Sequence, residues 1–189
     1  MSDPELGWAL VRTARCAIGT ELGRRFDACP EHHALGLPGA TFVTLFKDGE
    51  LRGCIGTLHA RRALREDCRV NAIAAAFSDP RFPPLSDDEF DDTAVEISLL
   101  ALPERLPSTD EAALLGELRP GVDGVILELA GQRATFLPQV WESLPSPKEF
   151  MGELKRKAGL PTDFWCVSMN VFRYSVTKWK EKDFQETRV

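Results

Sequence analysis

Long apolar runs are missing from this sequence. The densest run, residues 72–77, spans six positions, whereas a helix that crosses a membrane needs about 20 apolar residues. The first 20 residues place Asp3, Glu5, Arg12 and Arg15 within the apolar pattern, which leaves no hydrophobic core for a secretion signal. We therefore expect a cytoplasmic protein that does not span a membrane.

A surplus of basic residues is also missing. The chain has 23 Lys and Arg against 29 Asp and Glu, which gives a formal net charge of −6. Phosphate backbones repel such a chain unless its basic residues gather on one face. RNA or nucleotide binding is therefore the least favoured function class.

The common catalytic and metal-binding signatures are absent as well. The sequence has no CxxC pair, glycine-rich phosphate loop, HExxH pair or serine nucleophile elbow, so it lacks the marks of the common nucleotide hydrolases, zinc proteases and serine hydrolases. Five irregularly spaced cysteines are an odd number, which favours reduced thiols. Cys29 with His32 and His33 resembles half of a zinc site without its second pair of ligands. We predict no metal site, and the sequence assigns no cofactor.

Hydrophobic periodicity and turn residues predict an α+β fold, with helices packed on a mainly antiparallel sheet. Two predicted hairpins are each followed by a helix, a weak sign of internal duplication. Residues 27–40 are predicted to form a loop and residues 81–84 an extended segment. The predicted helices span residues 4–26, 61–78, 109–118 and 147–158. The predicted strands span residues 41–46, 51–58, 93–100, 125–129, 133–137 and 166–178.

An acidic run at residues 87–92 contains five Asp and Glu in six positions. It lacks the alternating ligand spacing of a calcium loop. Ser86 and Glu89 have the spacing of a capping box. We interpret the run as a solvated helix start.

The second strand of the first hairpin carries the residues of most chemical interest. Arg52 and Cys54 are two positions apart, so an unbroken strand would point both to one face, where the guanidinium would favour a thiolate. Gly53 and Gly56 are expected to allow a close approach to the backbone or a bend. The alternative is a buried cysteine beside an arginine that forms a structural salt bridge.

Charged residues from two other segments complete the predicted site. Asp79 and Arg81 flank Pro80 and are expected to meet Arg52 and Cys54 in a composite pocket; the alternative is a loop that covers the sheet edge and binds its backbone. Glu96 lies on the polar side of its strand, which favours exposure. If that side were covered, Glu96 would need a partner, and Arg52 is one candidate.

Several blocks of this sequence resemble the AMMECR-one domain family, in that family's order, from about residue 40 to residue 165. The whole chain, residues 1–189, is expected to form one such domain, with the first helix and the last strand belonging to it. Within the family, the chain is most similar to protein A of the bacterial AmmeMemoRadiSam system. The blocks are residues 39–45, 51–58, 71–77, 79–85, 96–98, 134–141 and 157–160.

The resemblance implies an α+β fold and an association with a Memo-like protein and a radical SAM enzyme, but no particular reaction. Three function classes remain: a small-molecule enzyme that uses the Arg52/Cys54 face, a non-catalytic subunit that completes a partner enzyme, and the disfavoured RNA or nucleotide binder. The absence of a dedicated base beside Cys54 favours the accessory role, whereas the strand glycines favour a ligand site. The candidate catalytic thiol is Cys54, and the candidate ligand-binding residues are Arg52, Gly53, Gly56, Thr57, Asp79, Arg81 and Glu96.

Overall fold

A computed structural model of the chain describes residues 3–26, 30–107 and 110–184. It confirms the α+β prediction. Its α-helices are α1 (Pro4–Glu21), α2 (Leu64–Phe77), α3 (Asp87–Phe90), α4 (Glu111–Glu117) and α5 (Pro147–Lys157), and short 3-10 helices lie at His33–Gly36, Pro138–Glu142 and Glu181–Phe184. Its strands are β1 (Pro38–Gly39), β2 (Thr41–Lys47), β3 (Glu50–Gly56), β4 (Arg62–Ala63), β5 (Thr93–Leu100), β6 (Glu104–Arg105), β7 (Gly124–Leu129), β8 (Gln132–Phe136), β9 (Asn170–Tyr174) and β10 (Val176–Lys180).

The chain divides into two compact units. Unit 1 comprises Met1–Leu100 and Thr177–Val189, and unit 2 comprises Ala101–Val176. Each unit has its own buried apolar cluster. That the whole chain acts as a single domain stays a prediction.

Unit 1 is built on a four-stranded sheet in the order β10-β5-β2-β3, with α1 and α2 packed against it. Val43, Leu45 and Ile97 are fully buried and alternate along β2 and β5 with less apolar or partly exposed positions, as the period-2 pattern predicts. Helix α1 begins where the Asp3 carboxylate accepts hydrogen bonds from two backbone amides of the first turn. β3 ends the strand order, so one of its edges is available to another segment.

Unit 2 contains a second four-stranded sheet, in the order β6-β9-β7-β8. The predicted hairpin is confirmed, because β7 and β8 pair antiparallel. Helix α5 contributes Phe150, whose ring stacks on Trp141 with centroids 3.8 Å apart. The Trp141 indole donates a hydrogen bond of 2.6 Å to the Asp123 carbonyl, so this core position is satisfied in both its apolar and its polar part.

Three local predictions are wrong in particular, for different physical reasons. Helix α1 ends at Glu21, because Gly23 adopts a left-handed conformation with φ of 80°. The long final strand is two strands, β9 and β10, which lie in different sheets on either side of Ser175. The segment at residues 81–84 is not extended at its start. The Phe82 amide donates a hydrogen bond of 3.1 Å to the Asp79 carbonyl, which forms a turn before the two prolines.

The predicted loop before β2 is partly regular. Residues 27–29, including Cys29, lie outside the described residues. After them, a 3-10 helix at His33–Gly36 leads into β1, which pairs with β4. His32 accepts a hydrogen bond from the Ala34 amide and contacts the Asp3 carboxylate at 3.2 Å, so its ring nitrogens serve local structure.

Candidate functional site

A β-bulge in β3 changes the direction of Arg52. The register pairs Leu45 with Gly53 and Phe46 with Leu51, so Arg52 is the extra residue. Because a bulge interrupts the alternation of side chains, the two-residue spacing of Arg52 and Cys54 does not imply that they share a face. The alternation of side chains does not record a bulge, although the adjacent Gly53, which was expected to allow a close approach or a bend, is a local sign of one.

Arg52 is held by the segment that follows α2. Its guanidinium binds both carboxylate oxygens of Glu89, at 3.1 and 2.9 Å, and donates to the Pro83 carbonyl at 3.0 Å. The residue is only 9% exposed. A bidentate, buried ion pair of this kind is a structural anchor, as the alternative interpretation of Arg52 stated.

Glu89 is the residue of the acidic run that the sequence analysis undervalued. The predicted capping box is confirmed, with the Ser86 amide 3.2 Å from the Glu89 carboxylate. The same carboxylate also accepts from Arg52 and from Lys47. The prediction of a merely solvated helix start is therefore wrong for Glu89, because both cations come from the hairpin, far away in sequence.

The Glu89 cluster should make unit 1 sensitive to acid. The hydrogen bonds from Arg52, together with those from Ser86 and Lys47 and against the cost of burial, lower the pKa of Glu89 to about 2. A lowered pKa stabilises the fold above the ordinary carboxyl value and loses that contribution as the pH falls. Thermal melts should show Glu89→Gln less stable than the wild type at neutral pH, with the gap closing toward about pH 2. A gap independent of pH would contradict this assignment.

Cys54 lies where the Asp79–Arg81 segment meets the outer edge of β3. The Cys54 amide donates a hydrogen bond of 2.8 Å to the Asp79 carboxylate, and the Cys54 carbonyl accepts one of 3.3 Å from the Arg81 guanidinium. Two further hydrogen bonds, of 2.9 and 2.6 Å, lock the Arg81 guanidinium onto the Asp79 carboxylate. The structure thus brings Cys54, Asp79 and Arg81 together, and the loop also binds the sheet edge as the alternative interpretation stated.

Electrostatics at this junction involve Arg81 rather than Arg52. The hydrogen bonds from Arg81 lower the pKa of the buried Asp79 carboxyl well below its usual range, with the Cys54 amide adding to the effect. The bond to Asp79 likewise raises the pKa of Arg81, and the nearby Cys54 sulfur acts in the same direction. The Arg81 side chain is 53% exposed. The cation beside the thiol is therefore fixed at one end and accessible to solvent.

A row of polar side chains crosses the sheet from Cys54. Thr44 pairs with Cys54 on one side and with Glu96 on the other, and the Thr44 hydroxyl lies 3.3 Å from the Cys54 sulfur. Directly paired residues on adjacent antiparallel strands present their side chains to the same face. The Cys54 thiol, which is half-buried, therefore shares that face with a hydroxyl and a carboxylate.

Glu96 is buried, so the expectation of exposure is wrong. It is 9% exposed, and its carboxylate oxygens lie 3.6 Å from the Lys178 amine and 3.7 Å from the Lys180 amine. Arg52, the partner suggested from sequence, binds Glu89 instead. The sequence does not reveal the two lysines as partners. They lie on β10, and the prediction of one undivided final strand gave no reason to place that segment beside β5.

Gly53 and Gly56 serve internal packing. A Cβ on Gly53 would lie 2.1 Å from the Ala75 carbonyl oxygen of α2, and one on Gly56 would lie 2.3 Å from the Phe42 ring. The expected close approach to the strand backbone is confirmed. The approaching groups belong to the protein itself, so these two glycines are not an opening for a ligand.

Thr57 belongs to a buried polar network that the sequence analysis missed. The Asp67 carboxylate accepts from the Thr57 hydroxyl at 2.5 Å and from both the amide and the hydroxyl of Thr41 at 2.8 and 2.9 Å. Asn71 adds donors one helical turn on, and Arg62 closes the cluster at 2.9 Å. The available signal was Asp67 and Asn71 at i, i+4 on an otherwise apolar helix face.

The other cysteines differ from Cys54 in their surroundings. Cys68 is fully buried, and burial raises the pKa of its thiol above the ordinary range. Cys16 is also buried, whereas Cys166 is half-buried and its sulfur lies 3.3 Å from the Ser168 hydroxyl. Within the described ranges, no group of three or more His, Cys, Asp or Glu is arranged to hold a metal ion. No helix in those ranges is long and apolar enough to cross a membrane.

Comparison with known proteins decides the family. The AMMECR1 family model matches residues 11–179, which include residues of both units. The chain belongs to the AMMECR1 family. This is the AMMECR-one family that the motif blocks resemble, so that prediction is confirmed.

Relatives in the AMMECR1 family are found in archaea and bacteria. A protein of Methanothermobacter thermautotrophicus is 38% identical over 186 residues, covering 93% of this chain and 94% of its own. One of Thermotoga maritima is 43% identical over 156 residues, covering 82% of this chain and 84% of its own. The crystal structure of an uncharacterised protein from Pyrococcus horikoshii matches with a TM-score of 0.77 at 32% identity, over 96% of this chain and 94% of that one.

Proposed function

We propose that this AMMECR1 chain carries a small-molecule site centred on the Cys54 thiol, with Arg81 as the group that binds an anionic part of the ligand. The observation that carries the proposal is the fixed guanidinium beside the thiol: Asp79 holds Nε and Nη2 of Arg81. In the part of the chain that the structure describes, Nη1 donates to no residue. An oriented arginine with a free donor suits a carboxylate or phosphate.

Most of the residues predicted from the sequence have a role in the proposed site, but several of those roles differ from the predicted ones. Cys54 is the candidate nucleophile or ligand contact, Arg81 the anion-binding residue, and Asp79 the residue that positions Arg81. Glu96 lies on the same sheet face, two strands from Cys54. Arg52, Gly53, Gly56 and Thr57 support this arrangement through packing and buried hydrogen bonds.

Selective alkylation tests the thiol. Cys54 should react with iodoacetamide before Cys16 and Cys68, because those thiols are buried and a thiol must be accessible and ionised to react. Peptide mass spectrometry after short labelling of the native protein measures each site. Modification of Cys16 or Cys68 while Cys54 stays unmodified would contradict the proposal and return Cys54 to the core.

We further propose that the chain acts in the cytoplasm in a pathway with a Memo-like protein and a radical SAM enzyme. Membership in the AMMECR1 family and the resemblance to the AmmeMemoRadiSam group support this proposal. Purification of the chain together with the corresponding two proteins should show co-elution or protection of Cys54 from alkylation. If the three proteins neither associate nor change the labelling of Cys54, the direct-partner version is wrong.

The second candidate function is a non-catalytic subunit that completes a partner enzyme. One observation supports it: the Thr44 hydroxyl and the Arg81 guanidinium both interact with Cys54, and neither is a ready general base. Cys54→Ser separates the two functions. The variant should abolish activity if the thiol reacts, and it should leave a partner's activity intact if the chain only completes that partner.

A further inference from the structure

A second site is suggested by a cavity in unit 1 that is lined by four arginines. The cavity has a volume of about 650 Å³ and lies between α1, the segment after it and α3. Arg12 and Arg15 come from α1, and Arg24 and Arg25 from the segment that follows it. The chain as a whole has a net charge of −6, so this concentration of cations is local. None of these residues belongs to the Cys54 site.

Two of the four arginines are structural. Arg15 binds both carboxylate oxygens of Glu181 at 2.7 Å and the Phe90 carbonyl at 2.7 Å. Arg24 binds Asp87 at 2.5 Å and Asp91 at 2.8 Å. Both guanidinium groups lie over the Phe90 ring, 4.9 and 4.4 Å from its centroid. These contacts fix one wall of the cavity and offset the charges of Arg15 and Arg24.

The remaining two arginines differ, because neither has an acidic partner among residues 3–26, 30–107 and 110–184. Arg12 lies over the Trp8 ring at 5.6 Å, and Arg25 is exposed; among the described residues, neither forms an ion pair or a side-chain hydrogen bond. Their guanidinium donors are therefore available to a ligand. Asp91 and Glu181 also line the cavity and offset Arg24 and Arg15. Arg12 and Arg25 therefore leave it with a net positive charge that a bound anion would neutralise.

We infer that this cavity binds a phosphorylated small molecule of about nucleotide size, held by Arg12 and Arg25. A guanidinium group binds phosphate oxygens through two parallel N–H donors, and two separate arginines can bind two negatively charged groups of one ligand. The half-buried Phe26 ring lines the same cavity and supplies an apolar surface for the organic part. The volume lies within the range of small-molecule sites, about 300–1,000 Å³.

Calorimetric titration with ADP, inorganic pyrophosphate and citrate tests the inference on the full chain. ADP should bind with a Kd below about 1 mM at low salt, more tightly than citrate, which carries carboxylates in place of phosphates. Arg12→Gln and Arg25→Gln should each weaken ADP binding about tenfold. Arg61→Gln, an exposed arginine of unit 1 outside the cavity, should leave the affinity unchanged.

Melting curves without ligand provide the folding control. Arg12 and Arg25 form no ion pair with any residue that the structure describes, so both variants should melt like the wild type. Pyrophosphate that binds with the same loss in the two variants supports the phosphate contact. The inference is overturned if ADP does not bind at 1 mM, if citrate binds as tightly as ADP, or if Arg61→Gln weakens binding as much as the cavity variants do. Labelling of Cys54 is measured separately and does not depend on this outcome.

Discussion

Gly53→Ala should destabilise unit 1 by about 3 kcal/mol, at the upper end of what overpacking a core costs. The added methyl group would lie 2.1 Å from the Ala75 carbonyl oxygen. That atom belongs to the backbone of α2, so no side chain can rotate away, and either the helix or the edge strand has to move. Urea unfolding, followed by circular dichroism, measures the change.

Gly36→Ala is the matched control for this substitution. Gly36 lies in the same unit, and a Cβ there would meet nothing within 4 Å, so its stability should stay within about 0.5 kcal/mol of the wild type. Gly53→Ala with the stability of Gly36→Ala would mean that α2 does not pack on the strand as described. Because Gly53 adjoins Cys54, the rate of Cys54 alkylation should also change when the strand shifts.

Asp67→Ala should cost about 3 kcal/mol, because several buried donors lose their acceptor at once. Asp67 is fully buried and accepts hydrogen bonds from four residues. Without the carboxylate, the Thr41 amide and the Asn71 side chain lose an acceptor in a place that water does not reach readily. Chemical denaturation should show a lower midpoint for the variant.

The neighbouring Glu66→Gln serves as the control for Asp67. Glu66 is on the same helix, is half-exposed and forms an i, i+3 pair with Arg69, which contributes no more than about 0.5 kcal/mol. Equal changes in the free energy of unfolding for the two variants would show that the Asp67 network contributes no more to stability than a surface ion pair. A conservative Asp67→Asn should fall between them, because an amide retains one acceptor oxygen.

The sequence predicts most local structure in unit 1, because local patterns determine it. The Asp48-Gly49 turn, with positive φ at both residues, closes the predicted hairpin, and β5 has the predicted bounds. The division of the last strand at Ser175 has no local mark. It depends on two sheets that each take one part of the segment, which is a tertiary effect that periodicity does not record.

The candidate site, too, could be predicted only where local patterns determine it. Asp79 and Arg81 reach Cys54 because α2 returns the chain along the hairpin. The length of the helix, together with its antiparallel packing on the second strand, predicts that return. Arg52 was misassigned because a bulge is invisible in the alternation of side chains. Glu96 was misassigned because its lysine partners come from the far end of the sequence, in β10.

Arg81 is the proposed anion-binding group beside the Cys54 thiol. The direct measurement compares the alkylation rates of Cys54 with iodoacetate and with the uncharged iodoacetamide at low salt, using Cys166 as the internal reference. An unpaired cation about 6 Å from an anion in water attracts it by about 0.7 kcal/mol, or about threefold in rate. Asp79 offsets part of the Arg81 charge, so threefold is the upper limit of the expected effect. The iodoacetate-to-iodoacetamide ratio at Cys54 should exceed that at Cys166 by up to this factor. It should fall to the Cys166 value or below it in Arg81→Gln, which leaves the Asp79 carboxylate without its cation, and it should be largely retained in Arg81→Lys. Equal ratios at the two cysteines in the wild type, or a Cys54 ratio unaffected by Arg81→Gln in a variant shown to be folded by its melting curve, would contradict the proposed site.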